Sequence, residues 1–199
     1  MITRKEMTRM LLKEGLLSYL ANNSFESVTV TSLCKASGIT RSTFYLHYSN
    51  IMEIVDDLVD DAIAYSKPGM VDNNNLQTIA NTLSAASNSV SLREAYDSIF
   101  DRLPLCQRII RHKKYLPLFL DEQISEYVLQ RIIGSEKDRQ GLVMAESLGV
   151  SFDVGVSVFV FLVHGLYAVN KQYKWSQTDE WLEAQKIIFE LVYRGLQSK

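Results

Sequence analysis

The sequence contains only two cysteines, Cys34 and Cys106, three prolines, Pro68, Pro104 and Pro117, and three histidines in 199 residues. Two cysteines so far apart, with no Cys-x-x-Cys or Cys/His spacing beside them, exclude a disulfide framework and a structural zinc site; they read as buried thiols. His47, His112 and His164 are remote from one another and lack a neighbouring carboxylate cluster, so neither a metal nor a cofactor is expected. The scarcity of proline and of Asn-Gly or Gly-Gly turns excludes a β architecture. There is no phosphate-binding glycine loop, nucleophile elbow, dinucleotide fingerprint or supported carboxylate pair, which argues against an enzyme. The longest apolar run, Val154 to Val169, is broken by Ser157 and His164 and is expected to fall short of a bilayer span. The opening residues Met1-Ile2-Thr3-Arg4-Lys5-Glu6 contain no apolar signal core. A soluble cytoplasmic protein with no membrane partner is the expectation.

What is present is enough apolar material for a substantial core, at 47% hydrophobic and 22% charged residues. The net charge of −2 conceals an uneven distribution: residues 1–50 carry +3, from six Lys/Arg against Glu6, Glu14 and Glu26, while residues 51–66 carry −5. A basic end on an acidic-to-neutral body can place a polyanion at one tip of the molecule.

Apolar residues recur three and four apart along most of the chain, so the fold class is all-α. Thr3, with Glu6 completing a capping box, opens a helix whose stripe includes Met7, Leu11, Leu12, Gly15, Leu16, Tyr19 and Leu20, ending near Asn22-Asn23-Ser24. Thr29 caps a helix over about 30–36, and Thr40 caps another from Arg41 to about His47. Ser49 or Asn50 caps a longer one over about 51–64. That helix buries Ile51, Ile54, Val55, Leu58, Val59 and Ala62 and leaves its four aspartates on a solvated face. A boundary is expected across Ser66-Lys67-Pro68-Gly69 and Asp72-Asn73-Asn74-Asn75. Beyond it, helices are expected at about 75–87, 91–101, 104–113, 117–133, 136–147, 151–173 and 178–197, with starts at Ser91 with Glu94 and at Thr178 with Trp181. The run Arg108, Arg111, His112, Lys113, Lys114 reads as a solvated helix end.

Residues 28–50 carry the chemistry. Two short helices that cross steeply need a small residue where they touch, a turn residue free to adopt positive φ, and an apolar plug from the second helix. Cys34, Gly38 and Phe44 supply these in order, with Leu33 and Ile39 adding core. Phe44 and Tyr48, four apart, share an inward face and leave Arg41, Ser42, Thr43, Tyr45 and His47 to point elsewhere. A short helix opening with an arginine and small hydroxylated residues suits a major groove, where Arg pairs bidentately with guanine and Ser or Thr contacts base or phosphate.

Residues 8–60 resemble the DNA-binding domain of the TetR family of bacterial transcriptional regulators. The likeness runs through Thr29-Val30, Leu33-Cys34, Ala36-Ser37-Gly38-Ile39-Thr40 and Thr43-Phe44-Tyr45-Leu46-His47-Tyr48. The resemblance implies that Tyr45 and His47 hydrogen-bond phosphates. It also implies that Thr40, Arg41, Ser42 and Thr43 face bases or backbone and that Thr29 binds a phosphate beside its capping role. Two positions depart from the family pattern: Asn50 stands where a phosphate-binding Lys is usual, and Cys34 where Ala is common. Loss of that charge is expected to weaken DNA binding and its salt dependence.

The resemblance further implies a three-helix domain at 1–50, a connecting helix at 51–66 and a larger helical effector-binding and dimerisation domain at 67–199. The homodimer contact is expected from Val158, Phe159, Leu162, Gly165, Leu166, Trp181, Ile188, Leu191 and Val192, with Gly155, Gly165 and Ala168 letting a partner helix approach. A pocket for an unknown small-molecule effector is expected among Tyr115, Phe119, Phe161, His164 and Tyr167, with Leu103 and Tyr127 near it. The expected function is a homodimeric, ligand-responsive repressor acting on a double-stranded DNA operator. The alternative is a co-activator or protein-interaction module that keeps the fold with weak or no DNA binding.

Overall fold

The computed structural model describes residues 3–66, 75–103, 107, 108 and 113–197, and among them it contains helices and no strand. The chain divides into two compact units, residues 1–65 with 112–132 and residues 66–111 with 133–199. The boundary expected at 66–75 and most of the helix expected at 104–113 lie outside the described residues, as do Cys106, Arg111 and His112.

The first unit opens with α1, Arg4–Leu20. Its cap is reciprocal: the Glu6 backbone N–H donates to Thr3 Oγ1 at 3.2 Å and the Thr3 N–H donates to Glu6 Oε2 at 2.7 Å. Leu12, Leu16, Leu17 and Leu20 are buried, and Gly15 lets α1 approach α2, Val30–Ser37. A Cβ on Gly15 would lie 2.0 Å from Ser37 Oγ. Thr29 and Ser32 form a second capping box at the start of α2. Gly38 ends α2 with φ +66°, a left-handed conformation that costs glycine little. α3, Arg41–Tyr45, follows with Thr40 as its cap. It is shorter than the expected 41–47 because the backbone tightens, the Leu46 N–H donating to Thr43 O and the His47 N–H to Phe44 O.

α4, Met52–Ser66, buries Ile54, Val55, Leu58, Val59 and Ala62. The unit is completed by α7, Leu116–Leu120, and the first residues of α8, Ser125–Leu148. Asp121, between these two helices, accepts from the backbone N–H of Phe25 at 2.7 Å, of Gln123 at 2.9 Å and of Ile124 at 3.2 Å.

The expectation of separate helices at 117–133 and 136–147 is corrected. α8 runs without interruption through Gly134, whose cost relative to alanine is about 1 kcal/mol and too small to break a helix anchored by Leu129, Ile132 and Ile133 before it and Met144 and Ala145 after it.

In the second unit, α5, Asn75–Ser84, and α6, Ser89–Ser98, pack with α9, Phe152–Gln172, and α10, Asp179–Gln197. The core holds Ile79, Leu83, Leu92, Tyr96, Leu166, Trp181, Leu182 and Phe189. α6 begins earlier than the expected Ser91 because Asn88 is the cap, accepting from the Ser91 N–H at 2.9 Å. Thr178 does cap α10, through the Trp181 N–H at 3.2 Å.

α8 and α9 meet closely. A Cβ on Gly155 would lie 2.3 Å from the Gly141 carbonyl oxygen and 2.7 Å from the Ala145 nitrogen. The close approach expected of a partner helix at Gly155 is therefore made by α8 of the same chain. α9 also corrects the expectation about membrane length: at 21 residues with mean hydropathy 1.9 over its most apolar window, it is long and apolar enough to cross a bilayer, by length and composition alone.

Candidate nucleic-acid interface

The geometry around α3 follows from its two inward aromatics. Phe44 is fully buried and Tyr48 nearly so, and their rings lie 6.3 Å apart. Anchoring at 44 and 48 turns the intervening residues outward: Tyr45 is 53% and Leu46 80% exposed. Arg41 and Ser42 are also exposed, and Arg41 has no ion-pair partner among the described residues. Tyr45 lies edge-on to Phe44, with ring centroids 5.2 Å apart, so one side of its exposed ring is held against the buried aromatic.

The hydroxyls at the start of α3 form one cluster. Thr40 Oγ1 accepts from the Thr43 N–H at 3.2 Å and lies 3.0 Å from Ser42 Oγ and 2.8 Å from Thr43 Oγ1. Thr40, Ser42 and the half-buried Thr43 thus share one local cluster, with Ser42 the more exposed partner of Thr40, and Arg41 stands outside it. His47 is half-buried, and its Nδ1 is buried with no hydrogen-bond partner. Thr29 is exposed, its Oγ1 accepting from the Ser32 N–H at 3.0 Å.

Asn50 has a structural reason to replace a lysine. Its Oδ1 accepts from the Glu53 N–H at 3.1 Å, a bond to the first turn of α4 that a lysine could not make, while Glu53 Oε2 accepts from the Ser49 N–H at 2.8 Å. The amide nitrogen of Asn50 remains an exposed donor without the charge of a lysine.

The aspartates of α4 keep part of the expected solvated face, with Asp60 64% and Asp61 43% exposed at the side chain, but all four are paired. Asp57 accepts from Arg9 Nε at 3.1 Å, from Arg9 Nη2, and from the Tyr48 hydroxyl at 2.6 Å. Arg9 also lies over the Tyr48 ring, 4.9 Å from its centroid. Asp61, one turn on, pairs with Lys13, one turn on from Arg9. On the neighbouring side of α4, Asp56 accepts from the Tyr127 hydroxyl at 2.5 Å, and Asp60 pairs with Arg131 at 2.7 Å.

Two residues four apart on each flanking helix therefore meet two aspartates four apart on α4. Most of these groups are partly exposed, so each pair contributes at most about 1 kcal/mol and the arrangement orients α4 more than it stabilises it. Burial, followed by the bond to Asp57, pushes the Tyr48 phenol up, so its hydroxyl stays a donor at all ordinary pH. The arrangement also consumes charge: Arg9 and Lys13 are neutralised, leaving Arg4, Lys5, Lys35 and Arg41 as the exposed cations of the N-terminal helices. The spacing of these charges was present in the sequence, but which helices face each other was not.

The residues expected to line an effector pocket are divided between the units. Tyr115 and Phe119 are buried in the first. In the second, Tyr167 is buried and edge-on to Trp175 at 5.4 Å, His164 is half-buried, and Phe161 is 75% exposed on another face of α9. Leu103 is buried in the second unit and Tyr127 is bonded to Asp56 in the first. Arg108 is buried and Lys114 pairs with Glu14 at 2.6 Å, so the basic run at 108–114 is not simply a solvated helix end.

Of the residues expected at a dimer contact, Phe159, Leu166 and Trp181 are buried within their own unit. Val158, Leu162, Ile188 and Val192 are half-buried, and Gly165 and Leu191 are exposed. The outward stripe on α9 runs Val154, Val158, Phe161, Gly165, Ala168, at alternating steps of four and three; on α10 it contains Ile187 and Leu191.

No family model matches the chain, and no curated protein matches it. Among solved structures, the crystal structure of the TetR family repressor AlkX from Dietzia sp. strain DQ12-45-1b, implicated in biodegradation of n-alkanes, is similar over 95% of each chain, at 13% identity and a TM-score of 0.37.

Proposed function

We propose that the protein is a sequence-specific DNA-binding transcriptional regulator, a cytoplasmic homodimer of the TetR type that acts as a ligand-responsive repressor. The observation that carries this reading is α3: a short helix set off by the left-handed Gly38, anchored by Phe44 and Tyr48, and presenting Arg41, Ser42 and Tyr45 outward. Arg41 and Ser42, with Thr40 and Thr43 behind them, read base edges, while Tyr45, His47, Thr29 and Asn50 hold phosphates. Two such helices in a two-fold dimer enter successive major grooves roughly 34–36 Å apart. The aspartates of α4 join Tyr48 to α1 and α8, so a ligand that displaces α4 changes the presentation of α3. Coupling of this kind is typically about 1–3 kcal/mol.

The test is a gel-shift titration against the DNA upstream of the protein's own gene. Arg41→Ala is expected to weaken the specific complex about tenfold and to relax base preference at one position. An unchanged affinity in this variant would remove α3 from the interface.

The outward stripes on α9 and α10 are proposed to be covered by a second copy of the chain. Phe161→Asp with Leu191→Asp is expected to raise the dimer dissociation constant by well over about tenfold, read by sedimentation velocity without detergent. A wild-type monomer under the same conditions would defeat this part of the reading.

One observation favours the second reading, a family-fold co-activator. Neutralised Arg9 and Lys13, together with Asn50, leave few free cations near α3. That reading requires Arg41→Ala and Tyr45→Phe to leave regulation intact.

A further inference from the structure

The second unit holds a run of buried polar side chains that the DNA-facing surface does not use. Tyr96 on α6 donates its hydroxyl to Gln107 Oε1, and Gln107 Nε2 donates to Gln185 Oε1 on α10 at 2.6 Å. One turn earlier on α10, Trp181 lies edge-on to Tyr96, with centroids 5.1 Å apart, and donates Nε1 to Asn170 Oδ1 on α9 at 2.9 Å. All five residues are at most 2% exposed, and Asn170 and Gln185 are fully buried.

Both sequences of bonds end the same way. Gln185 Nε2 and Asn170 Nδ2 are buried amide nitrogens with no hydrogen-bond acceptor. Native interiors rarely leave such donors unsatisfied, because each loses its water without regaining a bond. Two of them flanking one tryptophan in one packed cluster mark a place where an acceptor belongs.

The chemistry of that acceptor follows from what is left over. Each amide oxygen already accepts one hydrogen bond, whereas neither amide nitrogen has an acceptor, so the unmet groups are donors. The hydrogen-bonded members are carboxamides, a phenol and an indole, with no charge among them to balance an ion. Tyr96 and Trp181 are themselves part of the apolar core with Leu166, Leu182 and Phe189. We propose that the interior of the second unit, around Asn170, Trp181 and Gln185, binds an uncharged, largely apolar small molecule whose carbonyl oxygen accepts from these amides. The inference rests on the reading of the protein as a ligand-responsive regulator and identifies the class of its effector. It places recognition on residues other than the aromatic set expected from the sequence.

The test uses two nearly isosteric probes, acetophenone and ethylbenzene, which differ chiefly in the carbonyl. Each is titrated into the full-length protein and followed by calorimetry and by the side-chain amide and indole resonances of Asn170, Gln185 and Trp181. Acetophenone is expected to bind roughly three- to tenfold more tightly than ethylbenzene and to shift both amide NH₂ signals. Gln185→Met, which leaves only the Asn170 donor, should narrow the difference between the two affinities, while Tyr96→Phe, which leaves both amide donors in place, should keep the preference. Equal binding of the two probes to the wild type, or no binding of either, overturns the proposal; should Gln185→Met not fold, the wild-type resonances decide. A gel shift on the same preparation separates the two ideas. Ketone binding without DNA binding sinks the regulator and leaves the site, whereas DNA binding without ketone binding sinks the site alone.

Discussion

Gly155→Ala is expected to destabilise the protein by about 3 kcal/mol and to lower its melting temperature by roughly 6–12 °C. In an ordinary helix the same change would help, by about 0.5–1 kcal/mol. The sign reverses because the added methyl meets backbone: the Gly141 carbonyl oxygen at 2.3 Å and the Ala145 nitrogen at 2.7 Å. Backbone cannot rotate out of the way as a side chain can, so α8 and α9 must separate and the packing on either side of the contact loosens. Gly134→Ala is the matched control. It lies on the exposed side of α8 with nothing within 4 Å of its Cβ, and should stabilise slightly. Calorimetry on the two variants distinguishes a contact effect from a propensity effect. Equal melting temperatures for Gly155→Ala and the wild type would mean that the helices do not approach as described.

That contact also shows where sequence reasoning stops. Gly155 was legible as a point of close approach, since small residues on a long apolar helix invite one, but the sequence does not say which helix arrives. The same limit explains the aspartates of α4. Their spacing marks one side of a helix as acidic, and only the fold reveals that Arg9 and Lys13 on one flank and Tyr127 and Arg131 on the other match them.

Local signals fared better. The capping box at Thr3 and Glu6, the left-handed Gly38, the caps at Thr29 and Thr40, and the inward pair Phe44 and Tyr48 depend on neighbours within a turn or two, and each is found where the residues put it. The join of α8 across Gly134 was missed because a glycine's local cost is set against long-range burial on both sides of it. The buried amides of Asn170 and Gln185 were invisible for a similar reason: on a helical stripe an Asn or Gln reads as surface until its partners are known.

Asp57 is where these local and long-range terms meet, and its removal carries the second large effect. Asp57→Ala leaves the Arg9 guanidinium without its carboxylate and the buried Tyr48 hydroxyl without its acceptor. A fully buried pair broken in this way costs about 3–5 kcal/mol. Arg9 is 34% and Asp57 24% exposed at the side chain, so water recovers part of the loss and about 2–3 kcal/mol is expected in urea denaturation. Asp60→Ala removes a carboxylate that is 64% exposed and should cost less than about 1 kcal/mol. The larger consequence of Asp57→Ala is at α3. Tyr48 is the residue that closes the helix against the body of the unit, and with its hydroxyl unheld the outward set from Arg41 to Tyr45 loses its fixed orientation. If α3 reads DNA as proposed, affinity for the target DNA should fall together with stability in Asp57→Ala and barely change in Asp60→Ala. Loss of stability with full retention of DNA affinity would show that Phe44 alone orients the helix and that the bond from Tyr48 to Asp57 serves folding only.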